Sequence, residues 1–284
     1  MELLIKIDNL TVDISGKRVL NGLDIDFMPG EVTALVGESG SGKTLTALSM
    51  LDLLPAHSTY SAGAVYFKGR DVRSMSPDGK RNMRGKGIGM VFQEPFTALN
   101  PVMKAGDQVA EAILAHFPIG SGQARRRVTG IFDLVELPAR TYDMYPFELS
   151  GGMRQRVMIA VGLSCSPEAL ILDEPTTALD VTIQAQILDL VKSIQAEKGL
   201  TMVFITHDLS VVNKVADTVV VMRRGQVVEC GKKEQVIHAP RHAYTRGLLE
   251  CIPRIGDKRE RLPEIRDRDR EDLRQKAQGD GPWA

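Results

Sequence analysis

Gly37-Glu38-Ser39-Gly40-Ser41-Gly42-Lys43-Thr44 fits the spacing G-x-x-x-x-G-K-[ST] of a loop that wraps phosphate. Its glycines let the backbone curl so that successive N–H groups converge on anionic oxygens, and a helix starting at its end adds partial positive charge. Lys43 is long enough to reach the β- and γ-phosphates of a nucleoside triphosphate, and the Thr44 hydroxyl can hold Mg²⁺. Another reactive pair, Asp173-Glu174, directly follows the apolar run Leu170-Ile171-Leu172. Beside a phosphate loop, Asp173 can hold Mg²⁺ through water, and Glu174 can orient and polarise an attacking water. A further anion site is Ser150-Gly151-Gly152, a helix-capping serine followed by glycines that let phosphate approach the first turn. Alone that is ordinary capping. Its place about twenty residues before Asp173-Glu174 is not ordinary.

These groups need strands to hold them. Val32 to Val36 is an apolar, β-branched run that predicts a buried strand before the phosphate loop, and Leu45 to Leu54 has helical spacing that stops before Pro55. Ahead of it, Leu3 to Val12 and Arg18 to Phe27 alternate apolar and polar residues around the turn Ser15-Gly16-Lys17, as a half-buried hairpin does. Ala64 to Phe67 predicts another short strand, 70–86 a polar loop or short helix, and Gly87 to Phe92 a buried strand ending on Gln93. From Glu94 to about Cys165 the pattern turns helical, with amphipathic runs at Val109–Leu114 and Val128–Val135 around a Gly/Pro linker at 118–122. Strand–helix alternation then resumes, with strands at Ala169–Leu172 and Met202–Ile205 before helices at 181–197 and 208–216. Two more strands follow at Thr218–Met222 and Val227–Glu229. The expected fold is α/β: a parallel sheet carrying the phosphate loop, an N-terminal antiparallel β subdomain, and an inserted α-helical subdomain at about 94–165. The folded domain is expected to span 1–253, with 254–284 a densely charged, solvated tail.

Composition bounds the function. Lys plus Arg (36) equals Asp plus Glu (36), which argues against a nucleic-acid binder. Cys165, Cys230 and Cys251 lie far apart with no C-x-x-C, so the sequence predicts neither a disulfide framework nor a zinc site, and a reducing cytosol suits it. A leader pattern is not expected after Met1-Glu2, nor is a membrane-spanning run.

With Leu149 before it, Ser150-Gly151-Gly152 resembles the signature motif of the ATP-binding cassette (ABC) ATPases, and the resemblance covers roughly residues 3–250. Gln93 is similar to the family's Q-loop glutamine, which implies a ligand to Mg²⁺ and water. Asp180 in Ala178-Leu179-Asp180 matches the D-loop, and His207 the switch histidine that contacts the γ-phosphate. The resemblance implies ATP and Mg²⁺ as cofactors, and a site shared between two cassettes, with Ser150 acting in trans. Two departures stand out. Met153 replaces the commoner Gln, and Thr11 to Val19 lacks the aromatic that stacks on adenine, leaving an aliphatic residue such as Ile14 to substitute.

Tyr145 to Met153, Asp180 to Leu188 and Leu99-Asn100-Pro101 resemble the ATPases of bacterial peptide and nickel importers. That implies a second, different ATPase subunit, two transmembrane permease subunits and an extracytoplasmic solute-binding protein, with this chain peripheral on the cytoplasmic face of the inner membrane. Phe92 to Pro101 resembles the importers' Q-loop region, where a cytoplasmic permease helix docks; Phe96, Leu99, Val102 and Met103 suit such a groove, with a plain core role the alternative for each. Ala239 to Leu249 resembles the importers' C-terminal His-Pro-Tyr motif, with Ala243 in the proline's place, and the absence of cysteine after Cys251 argues against an iron–sulfur cluster there. Nickel and di- or oligopeptides both remain open as cargo, the missing cluster cysteines shifting weight modestly toward nickel. An alternative of another class is a soluble, non-transport ABC ATPase, regulatory or DNA-associated.

Overall fold

The computed structural model describes residues 3–93, 98–177 and 179–250. Strands β1 (Ile5–Ile14) and β2 (Lys17–Phe27) form the antiparallel hairpin that the alternation predicts, with Ile5, Ile7, Leu23 and Phe27 on the buried face. The next strand, β3 (Val32–Val36), leaves this sheet for a second one. The chain returns through β4 (Ser58–Phe67), which pairs with β1, and β5 (Arg70–Asp71) completes a four-stranded sheet in the order β2-β1-β4-β5.

The second sheet joins β3 to β6 (Ile88–Val91), β7 (Ala169–Asp173), β8 (Thr201–Thr206), β9 (Thr218–Arg223) and β10 (Gln226–Lys232). Its six strands run β10-β9-β3-β8-β7-β6, parallel throughout except for β10 against β9. Both faces are covered, which is why these strands read as unbroken apolar runs. Leu170, Leu172, Met202 and Phe204 face the core shared with the helical region, while Ile171, Val203 and Ile205 face the core shared with β1 and β2.

Helix α1 (Lys43–Met50) follows the phosphate loop, and α2 (Pro77–Asn82) is capped by the Ser76 hydroxyl accepting from Gly79 N–H at 3.1 Å. Between β6 and β7 lie α3 (Ala105–His116), α4 (Ser121–Leu134) and α5 (Gly151–Leu163), the helices expected there. After β7 come α6 (Val181–Lys198), α7 (Leu209–Val215), α8 (Lys233–His238) and α9 (Ala243–Glu250).

Helix α1 ends at Met50, earlier than its apolar spacing predicts. Asp52 takes φ +51°, and Leu53 N–H bonds back to Leu48 O at 2.9 Å, which closes the helix as a glycine usually does. Strand β4 starts six residues before the predicted Ala64, because pairing with β1 from Ser58 opposite Ile14 onward extends a stretch too polar to signal a strand. Residues 70–86, predicted as loop or short helix, hold β5, α2 and short helical turns. Glu94 to Thr97, Ala178, and the tail at 254–284 with its predicted boundary lie outside the described residues.

Phe204 is fully buried in the central strand β8, whereas Phe147 is 70% exposed. In urea titrations, Phe204→Ala should lose about 3–5 kcal/mol of stability and Phe147→Ala less than about 0.5 kcal/mol.

Candidate functional site

Strands β3, β8, β7 and β6 are parallel neighbours, so their C-terminal ends share one edge of the sheet. That edge is where open α/β sheets bind ligands. It brings together the loop after Val36, Gln93 after β6, Asp173-Glu174 at the end of β7, and His207 after β8.

The phosphate loop demands glycine at particular places. Gly37 has φ +154°, and a Cβ there would sit 2.2 Å from the Met222 carbonyl oxygen. At Gly42, φ is +105° and the same atom would press on Leu20 at 2.8 Å. Lys43 folds back over the loop, its ammonium donating to the carbonyls of Gly37 (2.8 Å) and Glu38 (3.0 Å). It is only 5% exposed. Burial lowers its pKa, against the pull of Glu174, Asp173 and Glu38. The Ser41 hydroxyl is buried with no hydrogen-bond partner.

Asp173 sits beneath Thr44 and is 2% exposed. Burial pushes its carboxyl pKa up; the Thr44 hydroxyl bonded to it and Lys43 oppose this, while neighbouring Glu174 adds to it. Its Oδ1 has no partner. Glu174 takes φ +47° and is pinned by its N–H donating to Ile205 O at 3.0 Å. Its Oε2 accepts from Gln93 Nε2 at 3.1 Å and Thr177 Oγ at 3.0 Å, while Oε1 lies 3.3 Å from His207 Nδ1. Three side chains thus aim one carboxylate. Thr177 went unread in the sequence, since a threonine after Glu174-Pro175-Thr176 carries no spacing signal.

These groups bound a cleft of about 570 Å³ lined by Ser39, Gly40, Gly42, Lys43, Thr44 and Leu45, with Gln93 and Glu174 opposite. Gly37 and Glu38 lie under it, as the seat of the Lys43 ammonium. Arg18, Val19 and Arg224 complete the wall. Ile14, the expected aliphatic substitute, does not line the cleft; Val19 on β2 does. Arg224 reaches it because Gly225 bonds to both Ser41 and Asn21, a link between distant segments that no local pattern encodes.

The expected second anion site stands apart from this cleft. The Ser150 hydroxyl caps α5, accepting from Met153 N–H at 3.3 Å. Gly152 lies so close to α6 that a Cβ would meet Ile183 at 2.7 Å, and the Asp180 carboxylate caps α6 at Ile183 N–H (2.9 Å). None of Ser150, Gly151, Gly152 and Asp180 lines the cleft. A separate apolar groove of about 710 Å³ runs between β6 and the helical region, lined by Met90, Phe92, Leu99, Met103, Met158 and Val161. Of the residues expected at a docking surface, Val102 is 82% exposed and Met103 lines this groove. Leu99 is buried at its floor, and Phe96 lies outside the described residues.

The donor set fits a polyphosphate with a divalent cation. Inward-curled backbone, a partnerless buried Ser41 hydroxyl and a poised ammonium suit phosphate oxygens. The free Oδ1 of Asp173 beside the Thr44 hydroxyl is a hard oxygen pair suited to Mg²⁺.

The chain is similar to known proteins. The chain matches the ABC transporter family over residues 20–177 and the oligopeptide/dipeptide transporter C-terminal region over residues 228–279. It is 44% identical over 262 residues to the dipeptide transport ATP-binding protein DppD of Bacillus subtilis, covering 90% of this chain and 78% of that one. To the oligopeptide transport ATP-binding protein OppD of the same organism it is 46% identical over 241 residues, covering 84% and 67%. Among solved structures it is similar to the ATP-binding cassette MJ0796, a dimer in a post-hydrolysis state bound to ADP and Pi. That match has a TM-score of 0.71 and 28% identity, over 81% of this chain and 98% of the other.

The buried carboxylate has a stability consequence. Asp173's folded pKa lies above its ordinary value of 3.8, so its contribution to stability is fully present below that value and is lost as pH rises through the folded pKa. At neutral pH the ionised group is therefore a cost to the ligand-free chain. Asp173→Asn should raise the ligand-free melting midpoint at pH 7 by about 2–4 °C, and the gain should vanish in acid. A lowered midpoint at pH 7 would show that Thr44 and Lys43 fully offset the burial.

Proposed function

This chain belongs to the ABC transporter family, and we propose that it is the ATP-hydrolysing subunit of an importer of dipeptides or oligopeptides. One observation carries the mechanism: neither Ser150, Gly151 and Gly152 at the N-terminus of α5 nor Asp180 lines the cleft, so the wall they could supply to a phosphate is missing within this chain. The site is half a site.

Within the half present, the loop backbone from Gly37 to Gly42 and the Lys43 ammonium hold the β- and γ-phosphates of ATP. Thr44, Asp173 and Gln93 would hold Mg²⁺, which supplies charge neutralisation to the phosphate oxygens when bound. Glu174 orients the attacking water and takes its proton, with Gln93, Thr177 and His207 fixing its carboxylate. His207, more exposed than Glu174, would approach the γ-phosphate from the solvent side. Val19 and the Arg18 guanidinium take the adenine face in place of an aromatic.

A second cassette supplies the missing wall. Its counterpart of Ser150, Gly151 and Gly152 brings a helix N-terminus and a hydroxyl to the γ-phosphate, and Asp180 stands at the same junction. Binding ATP draws the cassettes together, and hydrolysis releases them. The apolar groove beside β6 suits a cytoplasmic helix from one of two permease subunits, and the exposed Val102, next to the groove residue Met103 in the chain, fits contact with it. No helix among the described residues is long and apolar enough to cross a membrane, so attachment through permeases at the cytoplasmic face is the route this reading requires. An extracytoplasmic solute-binding protein delivers the cargo.

Peptide is favoured over nickel by the relatives' names and by the match to the peptide transporters' C-terminal region. The missing cysteines after Cys251 carry no weight for cargo, because the permeases and binding protein read the solute and this subunit does not.

In vesicles holding the assembled transporter, peptide-loaded binding protein should stimulate ATP hydrolysis. Stimulation by nickel, with none by peptides, would overturn the cargo assignment. Glu174→Gln should keep ATP binding while lowering turnover by about 10²–10⁴-fold, trapping a closed pair of cassettes visible by size-exclusion chromatography with ATP. Normal turnover by this variant would remove Glu174 from the role of base.

A further inference from the structure

Tyr244 follows the motif-like His242-Ala243 and is fully buried, although it lies far along the chain from the phosphate loop. Its placement is built stepwise. On β10, the Glu229 carboxylate accepts the N–H groups of Arg241 (2.7 Å) and His242 (3.1 Å), and His242 Nδ1 accepts the N–H of Tyr244 at 3.1 Å. These bonds start α9, which packs Tyr244 against Ala34, Val36, Val219 and Val221 on the outer face of β3 and β9. The ring then lies directly beneath the loop that β3 feeds, with the Arg223 guanidinium over it at 4.7 Å.

Its hydroxyl meets the loop itself. The Glu38 N–H donates to the Tyr244 oxygen at 3.2 Å. Burial pushes the phenol up to about 12, so the hydroxyl keeps its proton at neutral pH. Glu38 is also the residue whose carbonyl accepts from Lys43 at 3.0 Å. One hydroxyl therefore holds, by its backbone N–H, the residue that seats the Lys43 ammonium. Packing alone would be served by phenylalanine, since a buried hydroxyl costs desolvation unless it is paired.

We propose that Tyr244 is a positioning residue for nucleotide binding, through which the C-terminal segment braces the phosphate loop in the curled form that receives phosphate. This rests on the ATP-binding reading above. Tyr244 touches no phosphate; it acts through Glu38 on the seat of Lys43, and thereby sets affinity and not the hydrolytic step.

The test uses the full-length chain, titrated with a fluorescent ATP analogue and Mg²⁺. Tyr244→Phe keeps the ring and removes the hydroxyl; Thr245→Val removes the neighbouring buried hydroxyl, which has no hydrogen-bond partner. Tyr244→Phe should bind about three- to tenfold more weakly, while Thr245→Val binds as the wild type does. The ligand-free melting midpoint of Tyr244→Phe should stay within about 3 °C of wild type. In the assembled transporter, KM for ATP should rise by the same factor with kcat unchanged. If Tyr244→Phe binds as tightly as a wild-type chain that itself binds, the brace is refuted and the ATPase reading stands. Equal weakening by Thr245→Val would assign the effect to helix packing and equally refute it. A wild-type chain that binds no nucleotide would overturn the ATPase reading along with the brace.

Discussion

A lysine withdrawn from water and held by the carbonyls of its own loop is the constraint on which the rest of this structure depends. Lys43 makes two bonds, to Gly37 and Glu38, and leaves the remaining capacity of its ammonium facing the cleft. Burial works against its charge, while Glu174, Asp173 and Glu38 sustain it. Around it sit a buried hydroxyl and a buried carboxylate oxygen without partners. Unsatisfied buried groups of this kind each cost about 1–3 kcal/mol, and two of them beside a buried ammonium suit a ligand that completes their bonding.

The parallel sheet is what makes that concentration achievable. Lys43, Gln93, Asp173-Glu174 and His207 are scattered over more than half of the sequence, yet each follows a strand of one sheet and the strands end at a common edge. In the ladder, Ala169 to Asp173 on β7 run opposite Thr201 to Ile205 on β8, and the same ladder holds β3 against β8. Shifting one register would separate Glu174 from His207. The apolar runs that bury both faces of these strands therefore serve the chemistry at their ends.

Much of this was legible in the chain because the chemistry needs local spacing. The phosphate loop, the carboxylate pair and the helix-capping Ser150 each announce themselves within a few residues, and the strands between them are apolar enough to read directly. Most of what escaped depends on distance. Val19 and Arg224 reach the site through contacts that no local pattern contains, and the Tyr244 bond to Glu38 spans 206 positions, whereas Thr177 stands three residues from Glu174 and simply carries no spacing signal. The early end of α1 escaped for a different reason, since Asp52 takes a left-handed conformation in which glycine is the usual signal. Ser58 to Gly63 joined β4 only because β1 offered an edge to pair with.

The proposed division of the site between two chains rests on the separation of Ser150-Gly151-Gly152 from the cleft. The α5 N-terminus is capped within its own chain and packed on α6. The most direct measurement is ATP turnover per chain against chain concentration, with and without an added second cassette, alongside molar mass by light scattering. The account predicts negligible turnover from the dilute monomer and a rise that tracks pairing. Full turnover per chain from a species that remains monomeric at every concentration would contradict it.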